Sequence, residues 1–250
     1  MRADNVVRVI AAVVLVGSVP LVAQGRRPVE TRGVSLSLLC GPQASYTAPV
    51  PTITVQGGTE PRKALFAAGE TILLDAGTAQ GVRAGQQFYV RRVVSDELAI
   101  PAGPSRPFSI HTAGWVTVRE TLADSSVAVV SESCDGISTG DFLEPLVLPA
   151  AETEIATGEP DFSRPAQVIM ADERRQLGVS GSLMIIDRGS DHGLRPGQRL
   201  TLFRPGVNGV GPVIRIGHAV VASTQQETSL MRIGATTGEV QLGDLVAIYR

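Results

Sequence analysis

Apolar residues fall along this chain in short stretches broken by glycine, proline or aspartate, and no sustained period of 3.6 is evident. Runs of that kind predict strands rather than amphipathic helices. Phe88–Val90, Gly114–Arg119 and Ser126–Val130 read as strands, and so do Leu200–Leu202, Gly217–Val221 and Ser229–Ile233. Ile53–Val55 and Val168–Met170 add one apolar stretch ahead of each set. Arg232, two places after Leu230, predicts a solvated strand face. Ala171–Gln176 has room for a single helical turn.

The one long apolar run, Val9–Ala23, follows Arg2 and Arg8 and is broken by Gly17, Ser18 and Pro20. A bilayer-spanning helix takes about 20 apolar residues. This run is shorter and ends among small residues, so 1–25 reads as a secretory signal peptide, with an uncleaved anchor as the other reading. The expected location is the periplasm or the outside of the cell. Leu39 stands where a lipobox needs a small residue before Cys40, which argues against lipidation there.

The strand pattern is duplicated. Leu73-Leu74-Asp75-Ala76-Gly77, followed by Gly81-Val82-Arg83 and Gly85-Gln86, recurs as Ile185-Ile186-Asp187-Arg188-Gly189, Gly193-Leu194-Arg195 and Gly197-Gln198. Asp75 to Asp187 and Gly85 to Gly197 are both 112 positions apart. A second block recurs 103 positions on: Gly114 as Gly217, Ser126 as Ser229, and Gly140-Asp141-Phe142 as Gly243-Asp244-Leu245. The 9-residue difference lies between about Arg92 and Ala113 in the first copy. Gly77 and Gly189 are expected to turn at positive φ, with the preceding Asp carboxylates accepting from nearby backbone N–H groups. Val82 and Leu194 are expected in the core. Short strands with no room for crossover helices give an all-β fold of two tandem small closed β-barrels. These are placed at 51–148 and 164–250, after an extended segment over 26–50, with Pro149–Ser163 as a solvated acidic linker.

The repeated Asp-x-Gly-x3-Gly-[Val/Leu]-x2-Gly-Gln motif, with its closing Gly-Asp-[Phe/Leu], resembles the C-terminal domain of flagellar assembly protein T. It also resembles the small barrels of bacterial envelope proteins that carry peptidoglycan-binding LysM modules and, more weakly, the paired barrels of rod-shape-determining protein C. That resemblance implies a periplasmic scaffold docking on an envelope protein or on peptidoglycan.

Composition narrows the function classes. The net charge is −2 and aromatic residues make up 4%, so the strong basic field and stacking surface of a nucleic-acid binder are missing. Cys40 and Cys134 are the only cysteines, and in an exported chain they read most simply as one disulfide. A catalytic thiol is disfavoured by Glu132 and Asp135 beside Cys134, since acids raise a thiol pKa. His111, His192 and His218 are isolated, no His-Glu-x2-His or Gly-x-Ser-x-Gly occurs, and Asp187–Gln198 lacks the acids of a calcium loop. The gly-rich turns precede strands, not helices, so they make no phosphate cradle.

The functional expectation is therefore a non-enzymatic interaction or scaffold module with no cofactor and no metal. Its contact surfaces are expected on loops 92–112 and 204–216. Peptidoglycan or polysaccharide binding is the alternative. Trp115, which begins a strand after Gly114, reads as core or barrel rim and in that alternative is the candidate glycan or partner contact. A hydrolase with an assembled site is the third reading.

Overall fold

The computed structural model describes residues 34–60, 62–101, 105–149, 154–155, 158–172, 175–206 and 211–250. The signal-peptide expectation over 1–25 lies outside the described residues. The described residues belong to one compact unit.

The chain enters through one turn of helix, α1 (Leu36–Leu39), and a short strand, β1 (Gln43–Ser45). The first repeat supplies β2 (Val55–Gly58), β3 (Leu65–Phe66), β4 (Thr71–Leu74), β5 (Gln87–Val94), β6 (Phe108–Thr121), β7 (Ser126–Ser133), β8 (Ile137–Ser138) and β9 (Phe142–Pro145). The second supplies β10 (Pro160–Ala171), β11 (Leu177–Gly178), β12 (Leu183–Ile186), β13 (Arg199–Arg204), β14 (Ile214–Thr224), β15 (Ser229–Thr236), β16 (Val240–Gln241) and β17 (Leu245–Tyr249). The molecule is all-β apart from short helical turns.

The second repeat is a closed six-stranded barrel in the order β10-β12-β15-β14-β13-β17. The first follows the same order, β2-β4-β7-β6-β5-β9, with β1 added on β6. It differs from the expected closed barrel because its end strands share only an isolated bridge, Thr54 with Phe142. The Val55 N–H donates to the Asp141 carbonyl at 2.8 Å, and the Leu143 N–H to that of Ile53 at 2.9 Å. The physical difference is length. β2 has 4 residues where β10 has 12, and β10 pairs with β17 from Pro160 to Gln167. β10 thus begins inside the expected linker and ends at Ala171, and Asp172 after it is in a 3₁₀ turn, within the stretch where one helical turn was expected.

Each repeat has its own core. Ile72, Leu74, Val82, Val116 and Ile137 fill the first, and Met184, Ile186, Leu194, Val221 and Val240 the second. Val82 and Leu194 are buried as expected. In β7 the inward positions are Ser126, Ala128 and Val130, whereas Val127 and Val129 lie half-buried outside.

A third cluster joins the repeats. Leu38 and Ala44 from the entry segment meet Ile169, Leu183, Ile185 and Leu230 on the outer face of the second barrel. This cover explains why Leu73 in β4 is 38% exposed while its counterpart Ile185 in β12 is 1% exposed. A strand covered on both faces reads as a continuous apolar run, as Leu-Met-Ile-Ile does here. Two expectations are corrected by this packing. Residues 34–50 are not an extended lead-in but a wedge, and the Leu230 and Arg232 face is covered, with Arg232 donating to the Ser35 hydroxyl at 2.9 Å.

Candidate functional site

Residues that recur in both repeats turn out to hold the fold. The Asp75 carboxylate accepts from the Thr54 N–H at 2.6 Å, and Asp187 accepts from the Gln167 N–H at 2.7 Å. Both carboxylates therefore bond backbone, as expected, but across to the preceding strand rather than within their own turn. Gly77 and Gly189 are not at positive φ; their φ values are −135° and −132°. They are glycine for lack of space, since a Cβ on either would stand 2.3 Å from a carbonyl oxygen, that of Leu122 or Gln225. The Gln80 side chain accepts from the Gly77 N–H at 2.9 Å, and His192 Nδ1 accepts from the Gly189 N–H at 3.3 Å. His192 is thus part of a turn cap.

A second duplicated device escaped sequence reading. Arg92 donates two bonds to Asp141, each 2.7 Å, and Arg204 donates two to Asp244 at 2.6 and 2.9 Å. Each Asp also accepts a backbone N–H, from Ser138 or Gln241. The same two offsets that align the glycines align both partners of this pair, and that was the signal available.

Cys40 and Cys134 form a disulfide, with Cα atoms 5.7 Å apart. It ties the end of α1 to the turn after β7. Around it Leu39, Tyr89 and Trp115 are buried, with the half-buried Leu146 and Leu148 packed against them. Trp115 is 9% exposed, as expected of a core or rim position, and packs against the entry segment. The inserted loop of the first repeat is divided, with Val93 and Leu98 exposed and another part held down. Ala99 is buried, and the Ile100 N–H donates to the Ile169 carbonyl at 2.8 Å, so part of loop 92–112 straps onto the second barrel. In loop 204–216, Ile214 is exposed.

What differs between the repeats gathers at a cleft of about 860 Å³ between the entry segment, the exit from β9 and the Ser223–Glu227 turn. Tyr89 and Arg91 alternate with the core residues Phe88 and Val90, and so lie on the outer face of the first sheet. Glu144 stands beside Tyr89 across the β5–β9 ladder. The Arg91 guanidinium lies 4.3 Å from the Tyr89 ring centroid and donates through Nη1 to the Thr112 hydroxyl at 2.5 Å. That hydroxyl donates to the Gly41 carbonyl at 3.0 Å. Arg91 is 3% exposed, and its Nε, without a hydrogen-bond partner, stands 3.3 Å from a Glu144 carboxylate oxygen. Burial pushes the Arg91 guanidinium down from its ordinary pKa, and the Glu144 charge pulls it back up.

The second repeat has Thr201, Phe203 and Ala247 at the equivalent positions, all buried, with the Phe203 ring 4.9 Å from that of Phe162. A buried cation costs several kcal/mol unless it is paired, and Phe203 shows that this fold does not require one. No group of three or more His, Cys, Asp or Glu side chains is placed to hold a metal among the described residues. No family model matches the chain, and no curated protein matches it.

Proposed function

We propose that this protein is a non-enzymatic, exported interaction module of the bacterial envelope that captures a protein partner in the cleft between its two repeats. The observation that carries this reading is the divergence between the copies. Fold-holding groups such as Asp75/Asp187 and Arg92/Arg204 recur, while Tyr89, Arg91 and Glu144 are peculiar to the first repeat and line the cleft. A disulfide-tied wedge between two β units makes the cleft preformed, which lowers the ordering cost of binding. The disulfide is also in keeping with an oxidising compartment. Arg91 and Tyr89 are residue types that concentrate binding energy when desolvated in a pocket.

Wall binding loses its sequence motive with Trp115 buried. Co-sedimentation with purified peptidoglycan sacculi at rising salt separates the two readings. Protein that stays in the supernatant supports a protein partner, whereas salt-resistant pelleting transfers the function to the wall.

A further inference from the structure

We infer that the cleft recognises a carboxylate on an extended segment of the partner polypeptide, which takes the place of Glu144 on the buried Arg91 guanidinium. The inference rests on the interaction-module reading and names the chemistry of what is bound. Arg91 is held as a receptor would hold it. Its plane is set by Tyr89 on one side, Nη1 is fixed by Thr112, and Thr112 is fixed in turn by the Gly41 carbonyl of the entry segment. A guanidinium so oriented offers its remaining N–H groups as a planar fork that matches a carboxylate bidentately.

Glu144 fills that role imperfectly. Its oxygen lies 3.3 Å from Nε without a hydrogen bond, and its side chain is 40% exposed. It can therefore be exchanged for an incoming carboxylate, which keeps the buried guanidinium paired, and it returns when the cleft empties. An intramolecular carboxylate of this kind keeps the buried cation paired between binding events, and it also sets specificity, because a neutral segment gives Arg91 nothing in exchange for Glu144. The Phe203 counterpart shows that packing alone is met by an apolar side chain at this place.

The test uses the full chain, labelled with ¹⁵N, and follows the Arg91 Nε–Hε resonance, assigned by its loss in Arg91→Phe. The probes are acetyl-Ala-Ala-Ala with a free carboxyl terminus and the same tripeptide as its carboxamide. The expected result is a saturable shift with the acid and none with the amide. Glu144→Gln should tighten the acid by at least about twofold, since it removes the carboxylate that competes for a guanidinium only 3% exposed. Equal responses to acid and amide, or no response in both the wild type and Glu144→Gln, would overturn the assignment. Should Arg91→Phe fail to fold, the acid–amide comparison and Glu144→Gln decide alone. Partner adducts formed from the cleft lip with a silent Arg91 would remove the carboxylate assignment and leave the interaction reading standing; absence of both would remove both.

Discussion

Replacing Cys40 and Cys134 by serine tests how the molecule is held together. The bond links residues 94 apart in sequence. In the chain-entropy account a loop of that length restricts the unfolded ensemble by about 4–5 kcal/mol at 25 °C. The native state loses less than a core deletion would, because both sulfurs are only half-buried at the margin of the Leu39–Tyr89–Trp115 cluster. A fall in stability of about 3–5 kcal/mol is therefore expected for Cys40→Ser/Cys134→Ser. Urea unfolding reads it as a midpoint lowered by about 1–1.7 M if the slope is near 3 kcal/mol/M. Reductant added to the wild type should reproduce the shift. Hydrogen exchange supplies a second readout, since the bond anchors the wedge. Amides of α1 and β1 should open before those of the β12–β15 ladder once the bond is gone. A midpoint change under about 0.3 M would refute the reasoning, and so would loss of protection spread evenly over both repeats.

Asp141→Ala and Asp244→Ala should each cost about 2–4 kcal/mol, because each strips a two-bond partner from Arg92 or Arg204 and orphans a backbone N–H; chemical denaturation should show the two losses alike. Gly77→Ala and Gly189→Ala should destabilise by more than about 2 kcal/mol through their carbonyl clashes, while Gly238→Ala, which has open space around it, should stay within about 0.5 kcal/mol. Bonds from Ser163, with Arg164 and Arg250 nearby, hold the Asp161 carboxyl below its ordinary range. Its contribution is present above the unfolded pKa and lost as pH falls through the folded one, so protection factors at the β10–β17 end should fall below about pH 4, and Ser163→Ala, which keeps the backbone bond to Asp161, should weaken that pH dependence.

The strand content, the doubling and the two half-cores were legible because they are written in local features: turn glycines, short apolar runs, and a register kept over two long offsets. The Cys40–Cys134 pair was legible from counting. The wedge was not. Leu38, Leu39 and Ala44 carry no periodicity over so short a segment, and their burial depends on two surfaces contributed by distant strands. Ile185 did carry a trace of it, since an outward position in a barrel strand has no reason to be isoleucine unless something lies over it. Trp115 was legible as core or rim, but a lone tryptophan after a glycine looks alike at a rim and under a covering segment, so what covers it was not. Arg91 was visible only as half of an Arg-Arg pair. Aligning the copies separates the two halves, for Arg92 recurs as Arg204 whereas Arg91 becomes Phe203. What Arg91 meets, Tyr89 two positions before it and Glu144 on another strand, is fixed by sheet register, which no local pattern specifies.

The central claim is that the cleft is where a protein partner binds. A photoreactive residue placed at Val147, 73% exposed at the cleft lip, and in parallel at Leu122, 66% exposed in the β6–β7 turn and no part of the cleft, tests it in living cells. Discrete, reproducible protein adducts from position 147 and none from 122 are the expected result. Adducts equal at both positions, or formed only from 122, would contradict it.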